Sequence, residues 1–321
     1  MLDHGGNLDL AMQRFGGRPD DWIDLSTGIN RQSYPLPELS PRHWNALPSR
    51  AEIVSLCEAA REAYGTRASV IALAGAQAAI QLLPLLSSPG RARILAPSYS
   101  EYGSVLRTAA WNVGEVADLA SLAGADLAVV ANPNNPDGRR HDLLELLELL
   151  PHVGRLVVDE SFADPTPELS LASQAGRPGL LILRSFGKFY GLAGLRLGFV
   201  LGDAADVAAL AALAGPWPVS GVAIAIGRCA LLDRDWAAAT SARLARGSLR
   251  LDAIARSQRW TLAGGTPLFR LYDVGDATAA QARLGGAHVW SRVFDDRPTW
   301  LRLGLPGDEA EWARLAAVLA R

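Results

Sequence analysis

Ser185-Phe186-Gly187-Lys188-Phe189-Tyr190-Gly191-Leu192-Ala193-Gly194-Leu195-Arg196-Leu197-Gly198 carries the one lysine among the 31 lysines and arginines of this chain. Everywhere else a positive charge is an arginine. A guanidinium keeps its proton at working pH, whereas a desolvated lysine amine can lose it and attack a carbonyl. Lys188 is therefore a candidate covalent residue, although composition alone leaves chance as an equal reading. Its neighbours separate the two. Ser185 stands three residues before the lysine and Arg196 eight after it, in a glycine-rich stretch where backbone can approach a ligand closely. An alcohol and an arginine fork suit a phosphate.

The run resembles the lysine signature of the class I/II aminotransferase superfamily, the fold-type-I pyridoxal phosphate enzymes. The resemblance implies pyridoxal 5'-phosphate as cofactor, held covalently by Lys188, with Ser185 and Arg196 on its phosphate. Other parts follow in the order that family requires. Asn132-Pro133-Asn134-Asn135-Pro136-Asp137-Gly138 closes an apolar run that reads as a buried strand ending in a turn. Alone it is an ordinary turn; the resemblance places Asn135 against the cofactor's phenolic oxygen and beside the substrate. Arg155-Leu156-Val157-Val158-Asp159-Glu160-Ser161-Phe162 delivers a carboxylate at the end of a β-branched run. Such an acid is often only a cap; in this family it pairs with the pyridine nitrogen and keeps the ring an electron sink, the role implied for Asp159. Ala72-Leu73-Ala74-Gly75-Ala76-Gln77-Ala78-Ala79-Ile80 passes from strand to helix, and the amides of Ala76 and Gln77 would meet the phosphate at the helix start. Pro97-Ser98-Tyr99-Ser100-Glu101-Tyr102 resembles the segment whose first aromatic, Tyr99, stacks on the pyridine face.

Composition fits an enzyme with a substantial core. The 321 residues are 49% hydrophobic and carry a net charge of −2, with no basic excess for nucleic acid. No stretch of eighteen or more apolar residues appears, and the first twenty residues carry Asp3, His4 and Asp9 in place of a basic start and an apolar core. The expectation is a cytoplasmic protein without membrane or nucleic-acid partners. Cys57 and Cys229 lack CxxC spacing and the five histidines show no ligand pattern, so neither a disulfide nor a metal is expected.

Apolar runs at residues 70–73, 92–96, 127–131, 156–159, 180–183 and 197–201 alternate with helical patterns such as 101–110, 142–150 and 204–214. That alternation predicts an α/β fold with a mostly parallel sheet flanked by helices, and the Ala/Leu-rich 204–214 reads as a buried helix. Gly215-Pro216-Trp217-Pro218 breaks the pattern. A long helical stretch from 220 to about 260, short strands and a final helix over 309–321 follow. A large cofactor-binding domain is expected over 41–220, with 1–40 and 221–321 forming a smaller, discontinuous α+β domain.

Within the superfamily, Asp3-His4-Gly5-Gly6-Asn7 and Trp22-Ile23-Asp24-Leu25-Ser26-Thr27-Gly28-Ile29-Asn30 look like the opening of the threonine-phosphate decarboxylases of cobalamin biosynthesis, and the likeness runs nearly end to end. Phe162 points the same way, because histidinol-phosphate aminotransferases usually have a tyrosine there that helps hold the cofactor's phenolate. The resemblance implies a homodimer that removes the carboxylate of L-threonine O-3-phosphate as carbon dioxide, with Lys188 returning a proton to Cα. Arg302, in Trp300-Leu301-Arg302-Leu303-Gly304, matches a carboxylate-binding arginine, and Arg292 a second basic residue. His4 and Gly28, the latter through its backbone, are further substrate candidates. Two departures stand out: Leu47-Pro48 replaces a Tyr-Pro pair whose tyrosine reaches the partner's phosphate, and Gly28 replaces an asparagine. A histidinol-phosphate-type aminotransferase is the alternative, and a catalytically silent binding protein of the same fold is third.

Overall fold

The computed structural model describes residues 5–320. Two compact units are formed, one from residues 34–135 and 139–238, the other from residues up to 33, 136–138 and those from 239 onward.

The larger unit is built on seven strands: β1 (Ser69–Leu73), β2 (Arg91–Leu95), β3 (Asn112–Val116), β4 (Leu127–Ala131), β5 (Leu156–Asp159), β6 (Leu180–Ser185) and β7 (Gly198–Gly202). Their order is β1-β7-β6-β5-β4-β2-β3. β7 runs antiparallel to both of its neighbours and every other pairing is parallel. The central strands β4 and β5 are buried at every position, which is why Leu-Ala-Val-Val-Ala and Leu-Val-Val-Asp read as continuous apolar runs without alternation. The six strands read from the sequence are all present. β3 is an addition: its half-exposed Asn-Val-Gly-Glu-Val lies at the sheet edge and lacks the apolar run that marks a buried strand.

The helices of this unit include α1 (Arg50–Tyr64), α2 (Ala76–Leu82), α3 (Ser100–Thr108), α4 (Leu143–Glu148), α5 (Phe186–Phe189), α6 (Ala204–Ala214) and α7 (Gly221–Leu232), followed by α8 (Arg234–Ser257), whose first residues belong here. α1 starts on a reciprocal cap, Ser49 with Glu52, and ends on left-handed Gly65. One core joins Ile80 of α2, Leu106 of α3 and Leu210 of α6 to Ile94, Leu127, Val157 and Leu183 of the sheet. The stretch expected to be one long helical pattern is two helices, because Asp233 stops α7 and its carboxylate caps α8, accepting from Trp236 N–H at 3.0 Å. α7 packs on α1 and clusters with the larger unit, so the compact units divide at 33/34 and 238/239 where the sequence suggested 40/41 and 220/221. α6 corrects another expectation: Leu210 is its one fully buried residue. Alanine is apolar enough to imitate a core pattern and small enough to be left at the surface.

In the smaller unit β8 (Thr261–Thr266), β9 (Phe269–Asp273), β10 (Arg292–Phe294) and β11 (Arg297–Gly304) form an antiparallel sheet in the order β10-β11-β9-β8. α9 (Ala277–Gly285) and α10 (Glu309–Leu319) accompany it. Ile23–Asp24 pairs in parallel with Val289–Trp290, and Trp22, Trp290 and Ala11 close a local core. No helix among the described residues is long and apolar enough to cross a membrane.

Candidate active site

The sheet of the larger unit brings the candidate residues to one edge. Asp159 ends β5, Ser185 ends β6, and Lys188 follows on α5. Gly75 and α2 follow β1, Tyr99 precedes α3 after β2, and Asn135 lies beyond β4. Because β7 runs the other way, its first residue Gly198 pairs with both Leu73 and Ser185, and Arg196 arrives at the same edge. The carboxyl ends of parallel strands are where open α/β sheets bind ligands.

Asp159 is buried and held by two donors. The Tyr102 hydroxyl donates to Oδ2 at 2.8 Å and the Ser161 N–H to Oδ1 at 2.9 Å. Tyr102 is itself buried; burial, followed by the Asp159 charge, pushes its phenol well above the ordinary range, so it stays a donor. Lys188 Nζ lies 5.6 Å from the centre of the Phe162 ring, which is buried in the loop after Asp159. The short helix carrying Lys188 is backed by a pile of flat rings: Phe186 stacks on Tyr190 at 4.3 Å, and Tyr190 on Trp236 at 5.5 Å. Gly187 lets that helix sit on the next turn, since a Cβ there would come within 2.7 Å of Ala193 Cα.

A second cluster has the character of an anion cradle. Gly75, at φ +83°, opens α2, and a Cβ there would lie 2.9 Å from the Arg196 guanidinium. A Cβ on Gly198 would fall 2.5 Å from the Ala76 nitrogen. The glycines thus let a guanidinium and the first-turn amides of Ala76 and Gln77 converge, and first-turn amides lack intrahelical acceptors. Ser185 adds a half-buried hydroxyl. The Gln77 side chain accepts from Tyr99 Oη at 3.4 Å and donates to Glu101 at 3.0 Å. Burial, then Glu101, raises the Tyr99 phenol. Asn135 is half-buried, and its loop is fixed by neighbours the sequence did not single out: Asn134 Nδ2 donates to Pro97 O at 2.8 Å, and Asn132 Oδ1 accepts from His141 N–H at 3.0 Å.

An ion cluster centred on buried Arg184 and Glu160 lies next to the strand ends. Arg184, next to Ser185, reaches Glu160, next to Asp159, at 2.7 Å and Asp164 at 2.6 Å, and its guanidinium covers the Tyr64 ring at 4.3 Å. Glu160 also accepts from Ser170 Oγ at 2.5 Å and Leu171 N–H at 2.6 Å.

In the smaller unit, Arg302 and Arg292 face each other across β11 and β10. Arg302 is buried, donates to Ser26 O at 2.9 Å, and lies against Phe269 and Phe294. Burial, followed by the like charge of Arg292, lowers its pKa to about 10. It therefore remains cationic near neutrality in a place that disfavours a cation, an arrangement an anionic ligand relieves. Gly28 is buried in the same loop as Ser26, which Gly304 approaches closely, a Cβ there meeting Thr27 O at 2.4 Å. His4 lies outside the described residues.

An acid anchored by two donors, a single amine and an anion cradle of hydroxyl, guanidinium and helix amides constitute a donor set that fits pyridoxal phosphate. The sequence matches the aminotransferase class I and II family over residues 20–319. It is 44% identical to a threonine-phosphate decarboxylase of Sinorhizobium sp and 42% identical to that of Pseudomonas aeruginosa, each over 99% of this chain and 97% of the relative. A histidinol-phosphate aminotransferase of Mycobacterium bovis is 33% identical over 98% of this chain and 87% of its own. Among solved structures, L-threonine-O-3-phosphate decarboxylase from Porphyromonas gingivalis superimposes with TM-score 0.72 at 21% identity, covering 92% of this chain and 98% of that one. Histidinol-phosphate aminotransferase from Sinorhizobium meliloti, solved with pyridoxal-5'-phosphate, gives 0.78 at 20% identity, covering 99% and 95%. The architecture is that of the fold-type-I pyridoxal phosphate enzymes. With residues 20–319 matching, this chain belongs to the class I and II aminotransferase family.

Proposed function

We propose that this protein is a pyridoxal phosphate-dependent lyase that decarboxylates L-threonine O-3-phosphate to 1-amino-2-propanol phosphate and carbon dioxide in cobalamin biosynthesis. The observation that carries the choice is the full-length identity of 44% and 42% to threonine-phosphate decarboxylases, against 33% to a histidinol-phosphate aminotransferase.

In this reading Lys188 binds the cofactor covalently, Ser185, Arg196 and the amides of Ala76 and Gln77 hold its phosphate, Tyr99 covers the ring face, and Asn135 donates to the phenolic oxygen. Bound pyridoxal phosphate supplies a ring that accepts the electron pair left on the substrate's Cα when the carboxylate departs. Asp159, anchored by Tyr102 and Ser161, holds the proton on the ring nitrogen. Phe162 places an aromatic face without a hydroxyl near Lys188 Nζ, so the phenolic oxygen has one donor fewer than a tyrosine would give. On the smaller unit, Arg302 and Arg292 take the substrate's carboxylate and phosphate and the Gly28 backbone is a further contact; on the larger unit, Asn135 is another. Lys188 Nζ then delivers the proton that replaces the carboxylate on Cα. A transaminase with the same residues would align Cα–H, so substrate orientation decides the outcome.

A homodimer belongs to the same proposal. Leu36, Trp44 and Leu47 on the larger unit are 67%, 70% and 66% exposed, an apolar surface a second copy would cover. Incubating the protein with pyridoxal phosphate and phosphothreonine, and following the phosphorus resonances, tests the reading: conversion to aminopropanol phosphate supports it, and unchanged substrate refutes it.

A further inference from the structure

We infer that Tyr102 is a positioning residue that fixes the Asp159 carboxylate, through its hydroxyl, in the orientation needed to pair with the cofactor's ring nitrogen. The inference rests on the reading of Asp159 as the cofactor's nitrogen partner. Tyr102 sits one helical turn beyond Tyr99, with the two rings edge to face at 6.4 Å, so the turn that presents a ring to the cofactor also presents a phenol to the acid beneath it. The phenol meets Oδ2 at 2.8 Å while the Ser161 amide meets Oδ1 at 2.9 Å. Each carboxylate oxygen therefore has one donor, and the two come from different elements, α3 and the loop after β5.

An ionised carboxylate only accepts, so the phenolic hydrogen must point at Asp159. Donors to the charged form offset the desolvation that buries it. Without the Tyr102 hydroxyl, the carboxylate keeps only the Ser161 amide and is free to turn about that bond. The ion pair with the cofactor weakens, although every side chain named above as touching the cofactor is still in place.

The test is a double-mutant cycle read by cofactor affinity in equilibrium dialysis and by the visible absorbance of the bound cofactor, neither of which requires turnover. Tyr102→Phe keeps the ring and is expected to weaken pyridoxal phosphate binding about tenfold, the scale of one charge-assisted hydrogen bond. In an Asp159→Asn background the same change is expected to add less than twofold, because the carboxylate it acts through is gone. Incorporating 3-fluorotyrosine in place of Tyr102, a stronger donor of nearly the same shape, should shift affinity and absorbance in the opposite direction from Phe. Equal losses in both backgrounds would mean that Tyr102 merely fills space and would overturn the inference, as would unchanged affinity in Tyr102→Phe. Wild-type protein that binds no pyridoxal phosphate would instead refute the underlying reading, and the inference with it.

Discussion

Replacing Arg184 by Met probes the ion cluster that ties the strand ends bearing Asp159 and Ser185. The guanidinium and its partner Glu160 are 3% and 0% exposed as side chains, and Asp164 6%. Removing the cation leaves two buried carboxylates: Glu160 keeps the Ser170 and Leu171 donors, while Asp164 loses its only bonded cation in the cluster. Breaking a buried pair from one side costs about 3–5 kcal/mol, a large share of the roughly 5–15 kcal/mol that holds a protein folded. The sign of the pH dependence follows from Glu160, whose pKa is raised because burial outweighs the pull of Arg184. With Arg184 gone that raise grows. A carboxyl whose folded pKa exceeds its unfolded value favours the fold while protonated and loses that contribution as pH rises. The gap in urea midpoint between wild type and variant should therefore be widest near neutrality and narrow toward the ordinary carboxylate range. Adding Glu160→Gln and Asp164→Asn should restore part of the loss. A variant that matches wild type in urea at pH 7, or a gap that widens on acidification, would refute the reasoning.

Borohydride reduction of the holoprotein should fix the cofactor on the peptide containing Lys188, the one lysine in the chain, and Lys188→Ala should abolish turnover with the fold intact by circular dichroism. Label confined to the N-terminal amine would refute the assignment. Arg302→Gln and Arg292→Gln should each lower kcat/KM for phosphothreonine by about 2–5 kcal/mol of transition-state stabilisation, as when one partner of a desolvated charge pair is deleted; steady-state kinetics that move less than twofold would count against the assignment. Light scattering should give about twice the 34.1 kDa chain mass, and a monomer would contradict the dimer.

Much of the larger unit was legible in the sequence, because parallel strands buried on both faces write themselves as unbroken apolar runs. The candidate cofactor residues were picked out by their resemblance to a family's motifs, and Asp159, Ser185 and Lys188 lie at or after the carboxyl ends of neighbouring strands. Partnerships were not legible. Tyr102 meets Asp159 across 57 positions, and Arg184 meets Glu160 and Asp164 across 24 and 20, with no local periodicity linking them. The opposition of Arg292 and Arg302 depends on strand register, which the hairpin's irregular turn conceals. Edge strand β3 and the exposed alanines of α6 were misjudged because composition reports polarity and not which face meets solvent.

The most direct measurement is the fate of the substrate's carboxylate and amine in the same tube. With phosphothreonine labelled at the carboxylate and 2-oxoglutarate present, the account predicts stoichiometric labelled carbon dioxide with aminopropanol phosphate and no glutamate, while histidinol phosphate with 2-oxoglutarate yields little or none. Rapid glutamate formation from histidinol phosphate, with the label retained in phosphothreonine, would contradict the decarboxylase account and put an aminotransferase in its place.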